Sequence, residues 1–244
     1  MCFKEIVKRI VKILLTPFIL ADYLRFYKLA QHKRFNFYLS DAYPCIKDKT
    51  IKTGFDRHYV YHTAWAARKV REINPEYHID ISSSLYFSGI VSAFIPVRFY
   101  DYRPADIALS NLASLQADLM ALPFENESIR SLSCMHVVEH IGLGRYGDKL
   151  DYDGDIKAVN ELKRVLVTGG SLLFVVPVGR IAKIEFNAHR IYTYEMVNNM
   201  FDGLSLKEFA LIPEISGNIM FGQEAIDKSK SEKYACGCFW FIKS

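Results

Sequence analysis

The stretch SIRSLSCMHVVEHIGLGRYGD, Ser128–Asp148, decides the fold. Its middle reads H-V-V-E-H. On a helix that order would set two histidines on one face, as in one class of zinc peptidases. The chemistry needs both histidines four residues apart on a helix and a third ligand downstream. The flanks argue against a helix. The preceding SIRSLSCM is strand-like, and Gly142 and Gly144 follow too soon for a helix to continue. If the segment stays extended, His136 and His140 stand about 13 Å apart at about 3.3 Å per residue and share no ion. A strand ending near His136 is therefore expected, with a glycine-rich loop able to fold over the strand end.

Outward from this strand, helical and extended patterns alternate from about Gly54 onward. RHYVYHTAWAARKVREI reads as a helix that stops before Asn74-Pro75. YHIDIS and VRFYDY read as strands, LYFSGIVSAF as an apolar helix, and Leu115 to Ala117 as a short strand. DIKAVNELKRVL is an amphipathic helix. Thr168-Gly169-Gly170 reads as a turn before the apolar strand SLLFVVPV. TYEMVNNMF is a helix, and SLKEFALI and CGCFWFIK are the last strands. Strands separated by helices imply an α/β domain, a mostly parallel sheet covered on both faces. Such sheets take ligands at the carboxyl ends of their strands. The residues there are Asp80 and Ser82–Ser84, Asp101–Arg103, Asp118, His136–His140 and Pro177–Arg180. Recurrent carboxylates around one crevice suit the hydroxyl and amino groups of a nucleoside-like ligand.

The balance of 31 basic and 27 acidic residues leaves a net charge of +4, too mild for a nucleic-acid surface. Five scattered cysteines fit a reducing compartment better than a disulfide framework. Cys236 and Cys238 lack a second pair and read as strand residues, and no metal site is expected. Residues 54–244 form the expected domain, preceded by residues 1–53. The latter open with Phe3, Ile6, Val7, Ile10, Val11, Leu14 and Leu15 at helical spacing, with lysines and an arginine on much of the other face. The uninterrupted apolar run is about half of what a membrane span needs. Such a basic amphipathic helix lies in a membrane interface or docks on a protein surface.

Several blocks resemble class I S-adenosylmethionine-dependent methyltransferases over roughly Tyr77 to Ser244. HIDISSS stands where that fold has its first strand and glycine turn. FYDY resembles the second strand, QADLMALPFENESIRSLSCMHVVEHI the acid-then-LPF segment and fourth strand, and ELKRVLVTGGSLLFVVP the helix and fifth strand. HVVEHIGLGRYGD, PVG and FNAHRIY resemble an uncharacterised methyltransferase-like family, a domain of unknown function that accompanies bacterial surface-polysaccharide genes. The resemblance implies a Rossmann-like sandwich with a mostly parallel seven-stranded sheet and S-adenosylmethionine as cofactor. A cytoplasmic protein is expected, and the basic helix of residues 1–35 would hold it peripherally on the inner membrane face. Asp80, Ser82, Ser83, Ser84, Asp101, Tyr102, Asp118, Leu119 and His136 would line the cofactor, with Asp101 on the ribose and Asp118 and Leu119 on adenine.

Three serines replace the usual glycines of the first turn, and serine resists positive φ. Three readings stay open: an altered turn that still binds the cofactor, a turn that binds another ligand, or a lost site. The resemblance further implies a sugar or glycan-precursor acceptor. Sugar O-methylation needs a base beside the acceptor hydroxyl. His140 is the first candidate, oriented by Asp148 or Glu139, and His189 the second. Arg145, Tyr146, Arg180 and Arg190 are the candidates for gripping the acceptor.

Overall fold

The computed structural model describes residues 17–29, 34–45 and 48–244. The chain divides into two compact units, Met1–Phe55 and Asp56–Ser244. In the first, residues 17–29 form helix α1, and Phe37 stacks on Tyr23 with ring centroids 4.6 Å apart. Phe18, Leu24 and Leu29 are exposed. The apolar positions Phe3 to Leu15 of the expected amphipathic helix lie outside the described residues. No described helix is long and apolar enough to cross a membrane.

In the second unit, period-two alternation builds two cores from one sheet. Along β10 (Ala235–Lys243), Phe239 and Phe241 enter one core while Cys236, Cys238 and Trp240 enter the other. Along β5 (Leu166–Val178), Leu172, Phe174 and Val176 alternate in the same way with Leu173 and Val175. Helices α2 (Arg57–Ile73) and α3 (Leu85–Val91) cover the second core through Trp65, Val70 and Phe87. Helices α4 (Gly154–Val165), α5 (Tyr194–Met200) and α6 (Gly222–Ser229) cover the first through Leu162, Val197 and Ala225. Asp56 caps α2 by accepting from Tyr59 N, and Asn74 ends it in the left-handed region.

The remaining strands are β1 (His78–Ile81), β2 (Val97–Asp101), β3 (Leu112–Gln116), β4 (Ile129–Met135), β8 (Leu204–Pro213) and β9 (Met220–Phe221). The sheet runs β3-β2-β1-β4-β5-β10-β8-β9. Strands β1 to β5 pair in parallel, and β10 is antiparallel to both neighbours. The order reverses between β1 and β4, which puts the switch-point crevice there.

Two expectations are corrected. The sheet has eight strands rather than seven, because the two-residue β9 is too short to show alternation. Strands β6 (Lys183–Glu185) and β7 (His189–Ile191) form a separate antiparallel pair. Thr168-Gly169-Gly170 is no turn. It is a bulge inside β5, where the pairing with β4 jumps from Ile129↔Leu166 to Ser131↔Ser171. Gly169 takes φ +75° there, and a Cβ on Gly170 would meet Val167 O at 2.7 Å.

Candidate functional site

Two residues beside the switch point hold strained backbone. Ser82 follows β1 at φ +53°, and His136 follows β4 at φ +58°. Neither is glycine, and such conformations cost about 1–2 kcal/mol each. His136 N still donates to Val175 O at 2.8 Å, so the strand ends by turning rather than by losing its ladder. The next residues form a single 3-10 turn, Val138–His140. The extended reading of this segment is thereby corrected: the two histidines converge on one carboxylate. His136 Nδ1 lies 2.9 Å and His140 Nε2 3.8 Å from Glu139 Oε1.

A cavity of about 350 Å³ opens over these strand ends. Ser82, Asp101, Tyr102, Asp118, Leu119 and His136 line one part of it, and His140, Tyr146 and Asp148 another. Asp101 Oδ1 accepts from Arg103 N at 2.7 Å, and Asp118 Oδ1 accepts from Met120 N at 2.8 Å, so both carboxylates are held by their own turns. Arg103 and Arg145 both place guanidinium groups over the Tyr146 ring, at 5.1 and 5.2 Å. Arg103, already among the strand-end residues, also lines the cavity, and so does Lys149, which the sequence did not single out.

His140 carries a usable base. Its Nδ1 lies 2.6 Å from the carbonyl of Ala188, which can only accept, so Nδ1 holds the proton and Nε2 keeps its lone pair. Arg145 Nη1 donates to the same carbonyl at 2.9 Å. Burial holds the His140 pKa below its ordinary 6.5, so the ring is neutral at physiological pH. Burial also raises Glu139 to about 7, and its Oε2 has no partner.

Several expected site residues stand elsewhere. Asp80 is fully buried and accepts from Ser88 Oγ and, at 2.6 Å, from Ser133 Oγ, away from the cavity. Burial raises its pKa to about 6. Ser83 is buried and accepts from Met135 N at 3.0 Å, tying β1 to β4. Ser84 is the N-cap residue of α3 at φ −67°, so of the three serines only Ser82 needs glycine-like backbone. Asp148 does not orient His140. Its carboxylate accepts from Gly142 N, Gly144 N and Tyr146 N and organises the loop. A Cβ on Gly142, at φ +78°, would meet Asp151 O at 2.0 Å.

Arg190 is 4 % exposed, donates to Ile141 O and Tyr152 O, and pairs with Asp155. It staples the loop and does not grip an acceptor. Arg180 is exposed and outside the cavity. His189 sits on β7 with its ring 6.4 Å from that of His140 and is not among the lining residues. Asp153, the N-cap residue of α4, makes no side-chain cap bond, and Asp151 instead accepts from Asp153 N and Lys157.

The order of the sheet and its crevice define a Rossmann-like α/β sandwich, and solved methyltransferases share it. A candidate sarcosine dimethylglycine methyltransferase from Galdieria sulphuraria is similar with TM-score 0.53 at 13% identity, over 76% of this chain and 86% of its own. A chain of the complex between the Haloferax volcanii Trm112 methyltransferase activator and a candidate methyltransferase scores 0.51 at 17% identity, over 77% and 90%. A SAM-dependent methyltransferase from Thermotoga maritima scores 0.50 at 15% identity, over 77% and 94%. At these identities the likeness is one of fold. A family model described as Caenorhabditis protein of unknown function, DUF268, matches residues 114–230. No curated protein matches the sequence.

Proposed function

We propose that the protein is an S-adenosylmethionine-dependent methyltransferase that O-methylates a sugar during surface-glycan biosynthesis. The observation that carries the cofactor part is Ser82. Its left-handed φ keeps, at a strain cost, the backbone path that glycine normally provides in the first turn, directly beside the cavity. This favours the altered but working turn over the two other readings. Asp101 would hold the ribose hydroxyls, Asp118 and Leu119 the adenine, and the Ser82 turn the methionine part. A cavity of about 350 Å³ is of the size that encloses such a ligand. The bound cofactor supplies an electrophilic methyl group on a sulfonium.

The chain's own part is alignment and proton removal. His140 Nε2 is the base for the acceptor hydroxyl, with Nδ1 anchored on Ala188 O. Tyr146, with the Arg103 and Arg145 guanidinium groups over its ring, would wall the acceptor side. The sugar and glycan assignment rests on the resemblance of HVVEHIGLGRYGD, PVG and FNAHRIY. Placement on the inner membrane face rests on the basic, apolar pattern of residues 1–35, and residues 54–244 would be the catalytic domain. The test is calorimetric titration with S-adenosylmethionine and S-adenosylhomocysteine, followed by transfer of labelled methyl to nucleotide sugars and lipid-linked sugars. Micromolar binding and a labelled sugar are expected. Binding of a nucleotide sugar without either cofactor form would sink the reading.

A further inference from the structure

On the α2 side of the same strand ends lies a cluster of which the methyl-transfer reading uses only His136, as cavity wall. Alternation turns Cys236 toward α2, and its pairing with Pro177 sets it at the carboxyl end of β5. One ring nitrogen of His58, one of His136 and the Cys236 sulfur all lie within 4.8 Å of one another. Cys236 Sγ is 3.4 Å from His136 Nε2. An ion bound tetrahedrally at about 2.1 Å by imidazole and about 2.3 Å by thiolate sets nitrogen and sulfur about 3.6 Å apart. The pair is already close to that separation.

Two independent features support a ligand at this cluster. His136 Nδ1 donates to Glu139 Oε1, which fixes the tautomer that frees Nε2, as carboxylates do behind metal-bound histidines. His58 is 8 % exposed, and its Nε2 is buried with no partner. The Nε2 of His62, one turn further along α2, is equally unpartnered, and its ring centroid is 5.0 Å from that of His136. Among the described residues no other group of three or more such side chains has this spacing.

We propose that His58, His136 and Cys236 bind one zinc-like divalent ion through two imidazoles and a thiolate, with the fourth position open. Mixed nitrogen and sulfur donors suit zinc over the hard cations that prefer oxygen. Binding converts the Cys236 thiol to thiolate, the proton leaving to solvent. The ion would tie together α2, the end of β4 and β10. The expectation of no metal came from looking for a second cysteine pair, whereas these ligands come from three distant segments.

The test uses the full chain, purified reduced, with metal content measured by mass spectrometry and apoprotein titrated with cobalt. One zinc per chain is expected, together with a thiolate-to-cobalt charge-transfer band in the near ultraviolet. Cys236→Ser should lose the band, and His58→Ala should weaken binding about tenfold or more. Cys45→Ser, exposed and outside the cluster, should change neither. Circular dichroism on each variant establishes that it folds, and His58→Ala carries the test should Cys236→Ser fail to. No retained zinc and no band in folded wild type overturns the proposal. A band that survives in folded Cys236→Ser, or wild-type affinity in folded His58→Ala, overturns it equally.

Discussion

Replacing Asp101 by asparagine alters one charge and almost no volume. Asp101 Oδ1 accepts from Arg103 N at 2.7 Å, a bond that an asparagine carbonyl keeps, so the turn after β2 should survive. The remaining carboxylate oxygen is left for a ligand in the cavity that Asp101 lines. A hydrogen bond from a ribose hydroxyl to a carboxylate contributes about 1.5–3 kcal/mol, and a neutral one about 0.5–1.5 kcal/mol. The Asp101→Asn substitution is therefore expected to weaken cofactor binding by about 1.4 kcal/mol, about tenfold in Kd. Charge reversal with Asp101→Lys should abolish it. The assay is calorimetric titration with S-adenosylhomocysteine, which binds without turnover, beside thermal melts that track the fold. A wild type that binds while Asp101→Asn binds equally well and melts alike would refute the ribose role of Asp101. A wild type that does not bind would instead refute the cofactor assignment.

His140→Gln should lower kcat for methyl transfer about 10²–10³-fold, with S-adenosylhomocysteine affinity unchanged. The acid limb of the wild-type pH–rate profile should lie below the ordinary imidazole value of 6.5, since burial holds His140 down; a limb above 7 contradicts the assignment. Asp80 is raised from 3.8 to about 6, so between those values the folded state keeps a proton that the unfolded state has lost. Its contribution to stability falls as pH rises through that window, by about 3 kcal/mol at most, and is level above it. Asp80→Asn should remove that slope in urea titrations run across it, and an unchanged slope would refute the account. Arg190→Ala leaves two loop carbonyls without this donor and Asp155 with the Tyr192 hydroxyl but no cation. It should cost about 3 kcal/mol by differential scanning calorimetry, and a loss below about 1 kcal/mol would show that the staple is idle.

Much of the fold was legible because backbone geometry writes it locally. Alternating and helical runs marked most of the elements, and the glycines after His140 ruled out a long zinc-binding helix. The strand-end rule found Asp101, Asp118, His136 and His140, which all line one cavity. It failed for Asp80 because β1 is covered on both faces and buried throughout, so alternation carried no signal of which side meets the ligand. The serines that take up Asp80 lie on α3 and β4, and Ser133 meets it only once β1 pairs with β4. Arg190 looked like an acceptor grip, yet it satisfies carbonyls of a loop about forty to fifty residues earlier in the chain. The convergence of His58, His136 and Cys236 is the extreme case. Periodicity is set by bonds between neighbours in the chain, whereas partners of buried polar groups are set by which strands and helices become neighbours in space.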